Sequence, residues 1–577
     1  MSRSNTIAAV KFNEALKGHF SVFLDLAGVM KTTNQIHDDE SIIGRARLRR
    51  ASDRFKHGST ESRPTLTNCI IAARERKERN PACFLCGLMC SFVAIIFSPP
   101  AHAQIQQAWV AHYNNGITNG THQALKMALD ATGNIYVTGF SQNANSNLGY
   151  VTIKYAPNGS QLWASRYDST NYPSATPSGL VLDKSNNVII TGSALTVKYD
   201  QNGNQLWTAP YAGTALAVDS NANVYVTGFS TEFNTVKLSP TGSNLWQTTY
   251  IDEYGVGPTL SQAILVDKNS NIYVTGSDQF SQGYMDDYVQ LATIKYDTNG
   301  VEVWASIYQV EPVPSSINVQ GITLDGAGNL YIEANTDPGA GGGYSTFKFA
   351  NNGNLVWYII NSTDNPTSIA TGLALDSSTN LLIAGADRYH SFVYYYGTFK
   401  INTSGSSLWT NTYPNPPSGS SGANAIAVDS ANSVYVTGYS PGTNSGNDIV
   451  TIKYGSGGNQ SWLQRYNGPG NGNDAGNAIA VDKSGNVYVT GYDTLPGGGT
   501  EIVTIKYSPL IIQRLGNGDI LLQAQGSSGE SFDVQASTNL QTWQDLGSSP
   551  ADTNGLFQFN DTNAPQYNAR FYYTVPQ

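Results

Sequence analysis

Acidic side chains that interrupt an otherwise repeated pattern are the residues in this sequence best placed to do chemistry. Asp278, Asp286 and Asp287 fall in one long segment, and Glu333 and Asp337 in a later one. A third group reads Ala-Asp-Arg-Tyr-His and supplies Asp387, Arg388, Tyr389 and His390. Clustered carboxylates offer hard oxygen ligands, so Asp278, Asp286 and Asp287 are candidate calcium ligands. Glu333, Asp337, Asp387, Arg388 and His390 are candidate contacts for a bound ligand. The spacing matches no EF-hand loop, and a merely solvated acidic surface is the competing explanation. No cofactor other than calcium is indicated.

Nucleophilic catalysis finds little support. Residues 104–577 contain three histidines, His112, His122 and His390, and no cysteine, GxSxG elbow or HExxH pair. The four cysteines, Cys69, Cys83, Cys86 and Cys90, all precede this part of the chain. Paired carboxylates for glycoside cleavage would have to come from different loops. The favoured function is therefore a non-catalytic binding scaffold. A hydrolase or lyase acting on polysaccharide is the alternative, and a structural component of an envelope or matrix is a third.

The elements that position these residues are read from composition and periodicity. Of 577 residues only 13% are charged, 57 are glycine and 11% are aromatic, a balance that points to short strands joined by many turns. Three markers recur in step. The first is an Asp before a short turn and an NVYVTG-like strand: Asp130, Asp183, Asp219, Asp267, Asp325, Asp376, Asp429 and Asp482. The second is the Lys of an xTIKY-like strand: Lys154, Lys198, Lys237, Lys295, Lys348, Lys400, Lys453 and Lys506. The third is a Trp: Trp109, Trp163, Trp207, Trp246, Trp304, Trp357, Trp409 and Trp462. Their common period is about 50 residues, with four strand-length runs in each unit.

Such a repeat predicts an all-β, eight-bladed β-propeller with four antiparallel strands per blade. A residue present in every unit serves the unit: Asp to cap the turn, Trp to pack between blades, Lys to solvate an edge. Tight Asx-type turns such as DATGN and DQNGN alternate with long irregular connections, so one face is clipped short and the other carries the variable loops. The chain enters with a lone Trp run, QQAWVAHYN, and its last unit, EIVTIKY, lacks an outer strand. The N-terminal strand should therefore complete the last blade and close the ring.

The residues D-x-x-x-N-V-Y-V-T-G, D-I-V-T-I-K-Y and N-Q-x-W resemble the SBBP β-propeller repeat family over about 105–507. The resemblance implies a bacterial exported or surface protein built on blade scaffolding, with no family catalytic residues. Eight units depart from the seven in the family's name.

Outside the repeat, residues 1–103 read as a leader. Its apolar run at 82–97 follows a basic stretch and ends in Ala101-His102-Ala103, the pattern of a secretory signal cleaved after Ala103. The run is short for a spanning helix, which needs about 20 residues, so the mature chain should have no stable membrane span. Sec-type export to the cell surface or medium follows. Residues 104–507 form the propeller, and 508–577 a small C-terminal β-sandwich-like module. The mature segment carries 17 basic and 33 acidic side chains, a net charge of −16 that disfavours nucleic acid and leaves a glycan or a protein as the partner on the looped face.

Overall fold

The computed structural model describes residues 105–577 apart from short segments, the longest at 252–259, 282–286, 337–342, 362–367 and 414–418. The leader, 1–103, lies outside the described residues. Those described are all-β, with a single 3-10 turn at Ala564–Gln566 and no α-helix. They form eight four-stranded antiparallel sheets and two three-stranded ones.

The four-stranded sheets follow one another along the chain. The first is built from His122–Leu129, Ile135–Gln142, Leu148–Tyr155 and Gln161–Tyr167. The eighth contains Ala475–Val481, Val487–Thr494 and Thr500–Pro509, and its outer strand is Ile105–Tyr113 from the other end of the chain. Trp109 lies opposite Lys506 in that pair, and Tyr113 opposite Ile502. The first strand of each sheet adjoins the first strand of the next, and His122–Leu129 of the first adjoins Ala475–Val481 of the eighth.

Local chemistry explains each unit. At the first turn Asp130 Oδ1 accepts from the backbone N–H groups of Thr132 and Asn134, and Oδ2 accepts from Asn134 Nδ2. Asp183, Asp219, Asp267, Asp325, Asp376 and Asp482 repeat this arrangement. These bonds satisfy the donors of a turn that no neighbouring strand can reach. The Gly of the TG pair permits close approach of the first strand: a Cβ at Gly139 would stand 1.9 Å from the Gln123 carbonyl oxygen.

Between sheets a second device recurs. The indole of Trp163 donates to the Gln201 carbonyl at 2.8 Å, and the ammonium of Lys154 donates to the same oxygen at 3.1 Å. Gln201 belongs to the tight turn before the outer strand of the next sheet. Pro240, Thr298, Thr403 and Ser456 offer their carbonyls in the same way to successive Trp and Lys pairs. Trp109 and Lys506 both donate to Pro157 of the first sheet, at 3.1 and 3.0 Å, although they lie almost a full chain apart. The lysines therefore do not solvate an edge. Seven of the eight are buried, because each reaches across to the neighbouring sheet, and most lie over a tyrosine ring, as Lys154 does over Tyr136 at 4.9 Å.

A tryptophan also covers the turn glycine of the next sheet. Gly159 has φ +87°, and a Cβ there would stand 2.8 Å from the Trp109 ring. Residues after Leu510 form the two three-stranded sheets around Leu522, Phe532, Val534 and Phe557. Thr574 Oγ1 hydrogen-bonds Gln106 in the strand Ile105–Tyr113.

Trp109 is 2% exposed and joins the last sheet to the first. Trp109→Ala is expected to cost about 3–5 kcal/mol. Trp109→Phe, which keeps one aromatic ring but loses the hydrogen bond and part of the buried ring volume, should cost less, about 1–3 kcal/mol. Denaturant unfolding monitored by circular dichroism checks both.

Candidate functional site

Of the candidate site residues singled out from sequence, the two whose side chains are described, Glu333 and Asp387, are both buried on strands. Glu333 lies within the strand Leu330–Thr336, opposite Gly321 and Thr346, in the slot other sheets fill with a threonine. Its side chain is fully buried; Oε2 accepts from Thr346 Oγ1 at 2.7 Å and Oε1 has no hydrogen-bond partner. Burial pushes this carboxyl well above the ordinary range. Asp387 also lies on a strand, Leu381–Tyr389, where its buried carboxylate accepts from Ser368 Oγ at 2.7 Å. The Ala-Asp-Arg-Tyr segment is thus strand extended by pairing with Val393–Ile401, not loop, and Arg388 lies opposite Tyr394.

Asp278 and Asp287 lie on the long paired strands Ile272–Ser281 and Asp287–Tyr296, opposite Gln290 and Ser281 respectively. Asp286, Asp337 and His390 lie outside the described residues.

A different cluster stands at the looped end of the eighth sheet, where three strands terminate together. His112 Nδ1 lies 2.9 Å from Glu501 Oε1 and 3.4 Å from Asp493 Oδ2. Asn114 Nδ2 donates to Glu501 Oε2 at 2.9 Å, and the Tyr466 hydroxyl donates to Asp493 Oδ2 at 2.8 Å. Asp493 is fully buried, and its Oδ1 has no hydrogen-bond partner. Burial pushes the Asp493 carboxyl up to about 7, with Glu501 and Asp474 adding to the effect and the Tyr466 hydrogen bond opposing it. Asp474, also buried, accepts from the backbone of Gly468 and Thr494. Close by, His122 pairs with Ser141 Oγ at 2.8 Å, and burial, reinforced by Arg166, lowers the imidazole to about 4.

Neighbouring sheets carry polar groups at the same end. Arg465 bonds Asp448 at 2.8 Å and the Ser440 carbonyl at 3.0 Å. Arg166 bonds Asp168 through two nitrogens and the Ser141 carbonyl through one of them. Tyr172, about half exposed, follows in the connection to the second sheet. Sequence reading missed this cluster because its parts are nearly four hundred positions apart and ordinary one by one. The available signal was that His112 stands three residues after its Trp, where Arg166 and Arg465 stand after theirs.

Stacked four-stranded antiparallel sheets with an Asp-capped turn and a shared Trp–Lys acceptor define a repeat protein of the β-propeller class. The family model for the SBBP β-propeller repeat matches residues 462–492, from the seventh sheet's Trp to the second strand of the eighth. The chain carries that repeat. No curated protein matches it. Among solved structures it is similar to a protein of unknown function from Dyadobacter fermentans, at 12% identity over 70% of this chain and 98% of that one, TM-score 0.36. It is also similar to the polysaccharide lyase Uly1, at 8% identity over 68% and 93%, TM-score 0.37. A third is the extracellular domain of the putative one component system BT4673 from B. thetaiotaomicron, at 10% identity over 78% and 80%, TM-score 0.19.

Glu333 supplies a pH test. Its folded carboxyl titrates well above the unfolded value of 4.5, so it opposes folding increasingly as pH rises past 4.5. Glu333→Gln is expected to melt higher than the parent at about pH 8, with the difference fading toward about pH 4. Scanning calorimetry at the two pH values measures it.

Proposed function

We propose that the eight sheets are the blades of one closed β-propeller, and that the exported chain is a non-catalytic scaffold whose looped face binds a glycan or a protein. Ring closure is supported by the cyclic adjacency of the first strands and by the pairing of Ile105–Tyr113 with Thr500–Pro509. The observation that carries the binding reading is the inequality of the two ends of each sheet. One end is closed by short capped turns, while the other receives every long connection. A frame of that kind holds loops in place beforehand, so little conformational entropy is lost on binding.

A glycan is the favoured occupant. On the looped side Tyr172 offers a half-exposed aromatic ring in the connection that follows the Arg166–Asp168 pair, and its backbone N–H donates to Ser169 Oγ at 3.1 Å. Hydrolysis or elimination of a polysaccharide is disfavoured by geometry. Among the described residues the carboxyls raised above their ordinary range at this end, Asp493 and Asp474, are both fully buried and out of reach of a sugar oxygen. Among the described residues no helix is long and apolar enough to cross a membrane.

Binding to an array of bacterial and plant polysaccharides tests the proposal. Retention of at least one polysaccharide is expected, weakened about tenfold by Tyr172→Ala, without release of shortened or unsaturated products. A folded protein that retains none contradicts the glycan reading, and product release contradicts the non-catalytic one.

A further inference from the structure

The repeat permits a position-by-position comparison of the looped ends of the first, seventh and eighth sheets. Arg166, Arg465 and His112 each stand three residues after their Trp, and their register partners are Val151, Val450 and Val503. Two residues before those valines stand Gly149, Asp448 and Glu501. Opposite them on the second strand are Ser141, Ser440 and Asp493. One corner of the repeat is thus seen three times with different side chains.

In the seventh sheet the corner is electrically balanced, since the Arg465 guanidinium lies 2.8 Å from its one carboxylate, Asp448. In the first sheet Arg166 has no acid at the Asp448 position and pairs instead with Asp168 at 2.7 Å. The eighth sheet departs from both. Its permanent cation is replaced by an imidazole, and both facing positions carry carboxylates, Asp493 and Glu501. The corner thus holds two carboxyl groups and no permanent cation, at a place where Asp493 is fully buried. Buried charges need partners.

We propose that a divalent first-row cation takes the place of the missing guanidinium, bound by His112 Nδ1, a Glu501 oxygen and an Asp493 oxygen. One ligand atom from each residue lies within 4.8 Å of the others. Two ligands on a tetrahedral ion with bonds of about 2.0–2.2 Å stand about 3.3–3.5 Å apart. Of the distances from His112 Nδ1, 3.4 Å to Asp493 falls within that span and 2.9 Å to Glu501 falls short of it, so a small outward adjustment of the Glu501 side chain suffices.

The surroundings match those of a metal centre. Asn114 fixes the far oxygen of Glu501, and Tyr466 donates to Asp493 Oδ2, the oxygen that faces His112, while Asp493 Oδ1 is buried with no hydrogen-bond partner, so this carboxylate lacks the partners a buried charge requires. The His112 side chain is 38% exposed, which gives the ion an entry path and leaves outer positions to water. An imidazole among the ligands favours zinc and the later first-row ions over calcium and magnesium, which prefer oxygen alone, and the two carboxylates admit manganese as well. Coordination requires Nδ1 to be unprotonated, so binding moves the ring proton to Nε2 or releases it to solvent. This site is independent of the glycan reading and of Asp278, Asp286 and Asp287.

The test is a titration of the untagged full chain with Mn2+, following the free ion by electron paramagnetic resonance. Mn2+ is chosen because it binds thiolates poorly, so that Cys69, Cys83, Cys86 and Cys90 do not compete. One bound equivalent is expected, displaced by Zn2+ and not by equimolar Ca2+. His112→Arg, which restores the corner of the seventh sheet, and Asp493→Asn should each abolish that equivalent while keeping the far-ultraviolet circular dichroism. Tyr466→Phe should weaken it about 10- to 100-fold. If His112→Arg does not fold, His112→Ala at the same partly exposed position gives the reading. No bound Mn2+ in the parent, or an equivalent unchanged in the His112 and Asp493 variants, overturns the proposal.

Discussion

A single carbonyl in the last turn of a sheet receives two donors from the sheet before it, an indole N–H and a lysine ammonium, and most of the molecule's regularity follows from that joint. The acceptor must protrude, so the turn is tight and carries a glycine with positive φ, as at Gly159 and Gly203. The indole must lie flat over that glycine, where a Cβ would collide with it. The ammonium must cross from one sheet to the next, which buries it and brings it over a tyrosine or beside a turn aspartate, as Lys198 lies 2.9 Å from Asp183. A buried amine so placed is costly unless every partner is present; burial lowers Lys506 to about 8. Three residue types thus repeat together because one joint needs all three.

The same constraint explains the ends of the chain. Each sheet needs a neighbour to supply the carbonyl, and the eighth sheet finds it at Pro157 in the first. The seventh meets an exception, since the outer strand of the eighth is Ile105–Tyr113 and is not joined by a turn to Thr500–Pro509. There Gln464 Nε2 donates to the Ile105 carbonyl at 3.2 Å. Against this frame the individual sheets vary at their looped ends. Arginine with a carboxylate, serine with glycine, and histidine with two carboxylates are alternative solutions at one structural corner.

Much of this was legible in the sequence, and the reasons for the failures are physical. The turn aspartates and the tryptophans reveal themselves because their partners are local or periodic. The lysines were misread as edge solvation because an xTIKY strand looks amphipathic alone, and only the next sheet shows where its ammonium goes. Asp387 was misread as a loop residue because strand pairing with Val393–Ile401 extends past the apolar run that marks the strand. Glu333 drew attention as an acid in a threonine slot, yet that slot lies inside the sheet. The His112 corner was invisible because the chain joins its first strand to its last, so that residues 112, 493 and 501 meet only after the fold is complete. A site assembled across the terminal seam leaves no local motif.

The account stands on the pairing of the first strand with the last, which can be followed amide by amide. Hydrogen–deuterium exchange with mass spectrometry should find residues 105–113 exchanging as slowly as 500–509, both by the same cooperative opening as the neighbouring strand 487–494. Exchange of 105–113 within seconds, with 487–494 still protected, would contradict it.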